Sequence, residues 1–218
     1  MENANTGAFN PLSEEFSSIW KQCAAENRIP DKGEIADALK KMTRPTWRID
    51  NEYEMVERRQ EAKLSLNGIA KGYILDKACK VALNASDGVD NVMISIGGDI
   101  CLTGSGFRRV GVSNPFEPQD NAGPLIELQL QDQSVATSAS YARGFDIQNN
   151  HFSHIIDPRT GYPISGTIKS ATVISDTASQ SDALATAMMV LSPEEGIKLI
   201  ESLKATECIL VLKENTLV

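Results

Sequence analysis

The amino-acid sequence predicts an α+β fold of mixed sheets with packed helices. Three observations carry that expectation: helical periodicity opens the chain and returns near its end, short strand-like runs crowd the middle, and the two kinds do not alternate strictly. The 218 residues are 41% hydrophobic and 23% charged, ordinary proportions for a globular chain long enough to bury a substantial core.

The first helix is expected from Ser13 to Asn27, where Phe16, Ile19, Trp20 and Cys23 recur at i, i+3, i+4 and i+7. After the break at Pro30, Asp31 and Glu34 resemble a capping box opening a second helix with Ile35, Leu39 and Met42. Residues 46–66 read as a hairpin around Asn51 and Glu52. The turn Asn67–Gly72 opens a helix to about Asn84, with Ile74, Leu75, Ala78, Val81 and Ala82 as its apolar face. Asn91–Ile96 reads as a buried strand, continued by Cys101–Thr103 beyond Gly97-Gly98-Asp99. Arg109–Val112, Leu125–Leu130, Val135–Ser138 and Phe152–Ile156 read as further strands, and Ser170–Ser175 as one of alternating pattern. A helix follows from about Gln180 to Leu191. Ser192-Pro193-Glu194-Glu195 then starts another with an N-cap serine, a proline and a third-position glutamate, and Cys208–Leu212 is the last strand.

Charge and composition exclude several functions. A net charge of −8 argues against nucleic acid, whose binders need a basic face to displace counterions. No run of eighteen apolar residues spans a membrane, and residues 1–12 lack the basic-then-apolar order of a signal peptide. The four cysteines are scattered without a C-x-x-C pair, which speaks against zinc and against a disulfide framework.

Four segments carry chemistry, and each also has a plain structural reading. Asn67–Tyr73 combines small residues, a lysine and a helix start, the ingredients of an anion site or simply of a tight turn. Ile96-Gly97-Gly98-Asp99-Ile100 invites close approach of a ligand, or merely turns the chain. His154 to Gly161 gathers a histidine, an acid and an arginine in one loop, either a nucleotide-handling cluster or a turn with a local ion pair. The two histidines, His151 and His154, fall on opposite faces if that run is one strand. In Ser181–Thr186, Asp182 and Thr186 share one helical face. Carboxylate plus hydroxyl suits Mg2+, while an aspartate in a first helical turn also complements the helix dipole.

Taken together and in this order, these segments resemble the ApbE family of FAD:protein FMN transferases. NGIAKGYILDK (67–77) is similar to the family's G-G-I-A-K-G-Y-x-x-D, ISIGGDI to its glycine-glycine-aspartate strand end, SVATS (134–138) to its V-A-T-S tract, FSHIIDPRTGYPI (152–164) to its most specific motif, and SDALATA (181–187) to its A-D-A-L-A-T-A helix. GAFNPL with Trp20 resembles an earlier family segment. The resemblance implies an ApbE-like, T-fold-like α+β domain over 1–218 that is incomplete at its N-terminus, FAD as substrate and Mg2+ as cofactor. It implies transfer of FMN to a threonine of an acceptor protein with release of AMP, or hydrolysis of FAD to FMN and AMP, and in a degenerate member only flavin binding. By the same resemblance, Asp182 and Thr186 ligate the metal through side chains and Gly68 through its carbonyl. Lys71, Asp99, Ile156 and Asp157 lie at the FAD, and His154 handles the acceptor proton. Family members are commonly exported lipoproteins, periplasmic or membrane-anchored. Ser65 stands where the family has an aspartate, and Ala139 and Ser140 depart from its glycine and acid.

Overall fold

The structure, a computed structural model, describes residues 7–42, 47–59, 61, 63–85, 87–117, 119, 122–140, 143–214 and 216–218. Its helices are α1 (Glu14–Ala25), α2 (Lys32–Met42), α3 (Ala70–Leu83), α4 (Ala178–Val190) and α5 (Pro193–Glu201). Its strands are β1 (Trp47–Asp50), β2 (Met55–Arg58), β3 (Asn91–Ile96), β4 (Asp99–Gly104), β5 (Arg108–Val112), β6 (Ile126–Leu130), β7 (Ser134–Ala139), β8 (Gly144–Ile147), β9 (Asn150–Ser153), β10 (Ile156–Asp157), β11 (Tyr162–Pro163), β12 (Ile168–Ser175) and β13 (Glu207–Leu212). The α+β expectation holds. No helix among the described residues is long and apolar enough to cross a membrane.

Five strands form an antiparallel sheet in the order β13-β12-β7-β4-β3. Strand alternation gives this sheet two distinct faces. Ala136 opposite Val173 and Ser138 opposite Ala171 look toward α4, where Ala183, Leu184, Ala187 and Met188 complete the largest core. Val135 opposite Ile174 looks the other way, into a cluster with Leu102 and with Val110 and Leu130 of the β5–β6 hairpin. Both faces of β12 are therefore covered, and the alternation expected for Ser170–Ser175 becomes continuous burial.

β3 corrects its expectation in the opposite sense. It is an edge strand with every second residue exposed, because only the α3 side is packed. Cys101–Thr103 belongs to a separate strand that returns antiparallel after the Gly97-Gly98 turn. The run expected as one strand over Phe152–Ile156 divides into β9 and β10, and β8, which pairs with β9, carried no expectation at all. The hairpin expected over 46–66 is confined to β1 and β2, with Asp50 accepting bonds at 3.1 Å from the amides of Glu52 and Tyr53 at the turn. Residues 46, 60 and 62 of that segment, like residues 1–6 of the N-terminal segment, lie outside the described residues.

The apolar face expected on α3 is also corrected. Ile74 and Val81 are 53% and 69% exposed, while Gly72, Leu75 and Cys79 are buried. The roll of α3 is set by α4, against which it packs without side-chain spacing at Gly72: a β-carbon there would lie 2.2 Å from the Ala178 carbonyl oxygen. With that contact fixed, Leu75 and Cys79 turn to the sheet and meet Cys101, Ile94 and Ile96.

A second core joins α1 and α2 to β8–β11. Phe16, Trp20, Ile35, Ala38, Ile147 and Ile156 pack there, and the Trp20 ring lies 5.2 Å from that of Phe152. The Trp20 indole N–H donates to the Gly161 carbonyl at 3.0 Å, satisfying a polar atom of a buried aromatic. Gly161 sits at φ +78°, the left-handed conformation that ends the Asp157–Gly161 turn. At α5 the expected capping box is present, Glu195 and Ser192 exchanging bonds of 3.0 and 3.2 Å.

The α3–α4 contact yields a direct expectation. Gly72→Ala gains about 1 kcal/mol of helix propensity, but the added methyl overlaps rigid backbone, a strain of about 1–3 kcal/mol or more. Chemical denaturation should show a net loss of stability. A higher midpoint for the alanine variant would mean that the two helices do not touch at this position.

Candidate active site at a helix–helix seam

α3 and α4 run antiparallel, and α3 with the turn before it meets α4 at four-residue intervals. At the first contact Gly68 lies against Thr186, where a β-carbon would stand 3.0 Å from the threonine Oγ1. At the second, the Gly72 amide donates to Asp182 Oδ2 at 3.3 Å. At the third, Asp76 accepts from the amides of Ala178 and Ser179 at 2.7 and 3.0 Å, and from the Ser179 hydroxyl. Asp76 thus caps α4 across the seam, satisfying amides that a helix start leaves without partners. Because α4 begins at Ala178, Asp182 lies beyond the first turn; no acidic residue occupies that turn, so a simple dipole-complementing role for Asp182 is excluded.

The sheet supplies the remaining groups. Asp99 opens β4 directly after the glycine turn, and Ser138 sits near the end of β7 on the α4-facing side. The Lys71 ammonium, from the first turn of α3, bonds the Asp99 carboxylate and lies 3.4 Å from Asp182 Oδ1. Asp99 also accepts from the Thr137 amide at 3.4 Å. Thr186 donates to the Asp182 carbonyl at 3.2 Å, and its hydroxyl lies 3.4 Å from that of Ser138. Five of the residues expected at the site, Gly68, Lys71, Asp99, Asp182 and Thr186, are therefore gathered at one end of the seam.

The electrostatics of this cluster are unbalanced. The Asp99 and Asp182 side chains are 2% and 5% exposed and share the ammonium of Lys71, a side chain 39% exposed. Burial pushes the Asp182 carboxyl above its usual range; Lys71 opposes that shift and Asp99 adds to it. Burial alone would lower the Lys71 pKa, but its bond to Asp99 and the charge of Asp182 outweigh it and hold the ammonium charged. The surplus negative charge, an exposed side and oxygen donors from Asp182, Thr186 and Gly68 are the chemistry a hard divalent cation requires. Among the described residues no three His, Cys, Asp or Glu side chains converge, so a cation here relies on hydroxyl and carbonyl oxygens besides its carboxylate.

His154, Ile156 and Asp157 belong to a second cluster. His154 lies just past the end of β9, not within a strand opposite His151; His151 is exposed and pairs with Asp146 at 2.8 Å. The His154 Nδ1 is 3.0 Å from the Arg143 carbonyl, which only accepts, so Nδ1 carries the proton and Nε2 the lone pair. Burial holds this histidine below its ordinary pKa despite that bond. Ile156 is buried in the Trp20 core. Asp157 forms a two-pronged ion pair with Arg159, both bonds at 2.9 Å, and Arg159 Nη2 also donates to the Val190 carbonyl at 3.3 Å, at the last turn of α4. Both clusters thus bear on α4. A groove of about 280 Å3 between α1 and α2, lined by Glu15, Gln22, Glu34 and Asp37, shares no residue with either.

Sequence reasoning missed Asp76 and Ser138 as parts of this site. The signal for Asp76 was the i, i+4, i+8 spacing of Gly68, Gly72 and Asp76, matched by Thr186, Asp182 and Ala178. For Ser138 it was strand alternation from Ala136.

A carboxyl that holds its proton more tightly when folded stabilises the protein below about pH 3.8 and loses that contribution as pH rises through its folded pKa. In chelator-treated protein, Asp182→Asn should therefore gain stability relative to wild type as pH rises from 4 toward 7. Melting curves of the pair across that range test this. Equal pH slopes would contradict the crowded-carboxylate picture.

A family model for the ApbE family matches residues 1–210. An FAD:protein FMN transferase of Klebsiella pneumoniae (strain 342) is 29% identical over 213 residues, covering 97% of this chain and 65% of that protein. One of Treponema pallidum (strain Nichols) is 26% identical over 228 residues, covering 96% of this chain and 62% of that protein. The chain thus spans somewhat under two thirds of the length of these curated relatives. Among solved structures, the ApbE protein of Thermotoga maritima superposes with a TM-score of 0.83 at 29% identity, covering all of this chain and 71% of the other. The apo flavinyl transferase ApbE of Pseudomonas stutzeri gives 0.79 at 26%, covering all of this chain and 67% of the other. With a family match along nearly its whole length and the same fold, the chain belongs to the ApbE family.

Proposed function

We propose that this chain is a flavin transferase, which cleaves FAD at its pyrophosphate with Mg2+ and attaches FMN to a threonine of an acceptor protein. The observation that carries the reading is the convergence of Gly68, Lys71, Asp99, Asp182 and Thr186 at the α3–α4 seam. Relatives named FAD:protein FMN transferase, similar along nearly all of this chain, supply the substrate and the reaction class.

In this reading the Asp182 carboxylate, the Thr186 hydroxyl and the Gly68 carbonyl hold the metal, an all-oxygen set that suits Mg2+. Mg2+, when bound, neutralises charge on the pyrophosphate oxygens and favours an in-line arrangement of attacking and leaving groups. Asp99 keeps Lys71 charged and aimed, so that its ammonium meets the phosphates as a point charge. The backbone of Ile156 and the loop held by Asp157 and Arg159 border the FAD. The acceptor threonine oxygen forms a bond to the flavin-side phosphorus, and the bond from that phosphorus to the bridging oxygen breaks. AMP leaves with the electron pair. The threonine proton passes to Nε2 of His154, which its burial keeps neutral and ready to accept it.

The test is AMP release from FAD and Mg2+, with and without a threonine-bearing acceptor protein. Wild type should release AMP only with acceptor, and Asp182→Ala should be slower by about a hundredfold or more, the scale of a lost charge-stabilising group. His154→Gln should lose about 10²–10⁴-fold and also lose an acid limb that wild type shows below pH 6.5. AMP release without acceptor would make the chain an FAD pyrophosphatase. No AMP from folded wild-type protein would contradict enzymatic flavin chemistry altogether.

A further inference from the structure

Asp76 binds none of the groups assigned to the reaction, yet it makes the tightest contact across the seam. We propose that Asp76 is a positioning residue for the cation site: its carboxylate on the first amides of α4 sets the register in which Asp182 and Thr186 face Gly68 and Lys71. The inference rests on the functional reading above.

The geometry separates this role from ordinary capping. An ordinary N-cap is local, and α4 already has one: the Thr177 side chain accepts from the Gln180 amide at 3.3 Å. Asp76 comes from a different helix, 102 residues earlier, and takes two amides and a hydroxyl together. Its own helix carries Gly72 one turn back, and Gly68 lies four residues earlier in the turn that precedes the helix. On α4, Ala178, Asp182 and Thr186 follow at the same spacing. Of the other contacts, Gly72 gives a 3.3 Å amide bond, Gly68 a steric contact, and Lys71 a long ion pair of 3.4 Å to Asp182 from a side chain 39% exposed. Gly72 permits the helices to close but does not prevent them from sliding, because a glycine surface has no side chain to interlock. Asp76 is the contact that joins charge to two amides and a hydroxyl at once, at shorter distances than the Lys71–Asp182 pair, and the positive end of the α4 dipole reinforces it. A slide of α4 by a fraction of an ångström would move the Asp182 carboxylate and the Thr186 hydroxyl together, away from the Gly68 carbonyl. Such second-layer contacts typically govern metal affinity by about 10–100-fold.

The experiment measures Mg2+ binding directly, by calorimetry on the isolated chain, for wild type, Asp76→Ala, Asp76→Asn and Thr177→Ala. Asp76→Ala should weaken Mg2+ binding at least about tenfold. Asp76→Asn, which keeps one accepting oxygen, should fall between it and wild type, and carries the test if the alanine variant does not fold. Thr177→Ala removes the local cap at the same helix end and should lower the melting temperature without shifting Mg2+ affinity. Equal Mg2+ affinity in wild type and the Asp76 variants would overturn the positioning role and leave the functional reading intact. So would an equal loss in Thr177→Ala, which would make Asp76 a mere stabiliser of the helix end. Absence of Mg2+ binding by folded wild type would overturn both.

Discussion

The close approach of α3 and α4 at Gly72 and Ala178 is the constraint on which the rest of the arrangement depends. With no side chain between them, the two backbones come near enough for a main-chain amide of one helix to reach a carboxylate of the other. The same contact fixes the roll of α3. That roll sends Leu75 and Cys79 into the sheet and leaves Ile74 and Val81 in solvent. It also brings Lys71 to the edge of β4, where Asp99 waits after the glycine turn. A site of one lysine, two buried carboxylates and a threonine is thus a by-product of how two helices pack on one sheet face. The far end of α4 is held in turn by Arg159, whose guanidinium joins the Asp157 carboxylate to the Val190 carbonyl.

Much of this was legible in the sequence. Phe16, Trp20 and Cys23 are buried as their spacing required, and the Ser192–Glu195 cap closes as its residues demand. Asp182 and Thr186 do share a face, since that follows from helical geometry alone. The illegible parts depended on partners distant in the chain. β3 reads as a buried strand because Val92, Ile94 and Ile96 are apolar; that its alternate residues are exposed goes with its place at the sheet edge. β8 escaped notice because four residues, Gly144–Ile147, are too short a run to show a period, and its pairing with β9 is what makes it a strand. The apolar face of α3 was misplaced because Gly72, its most constrained contact, contributes nothing to a hydrophobic pattern. Asp76 was legible as part of a motif but not as a cap, because the amides it serves lie on another helix.

Ser65 links the turn that opens α3 to the N-terminal segment. Its hydroxyl accepts from the Asn67 amide at 3.3 Å, and its own amide donates to the Pro11 carbonyl at 2.8 Å. The segment carrying Phe9, which packs beside Gly68, is thereby tied to the turn that opens α3. A hydroxyl suffices for that turn, and the negative charge of the cluster resides on Asp99 and Asp182.

The proposed reaction depends on a divalent-cation site at the α3–α4 seam. Mn2+ takes the same oxygen donors as Mg2+ and scatters X-rays anomalously, so diffraction from crystals soaked in it tests the claim most directly. One strong anomalous peak is expected, bounded by the Asp182 carboxylate, the Thr186 hydroxyl and the Gly68 carbonyl, and absent from Asp182→Ala crystals. A peak elsewhere with the seam empty, or one that survives the substitution, would contradict it.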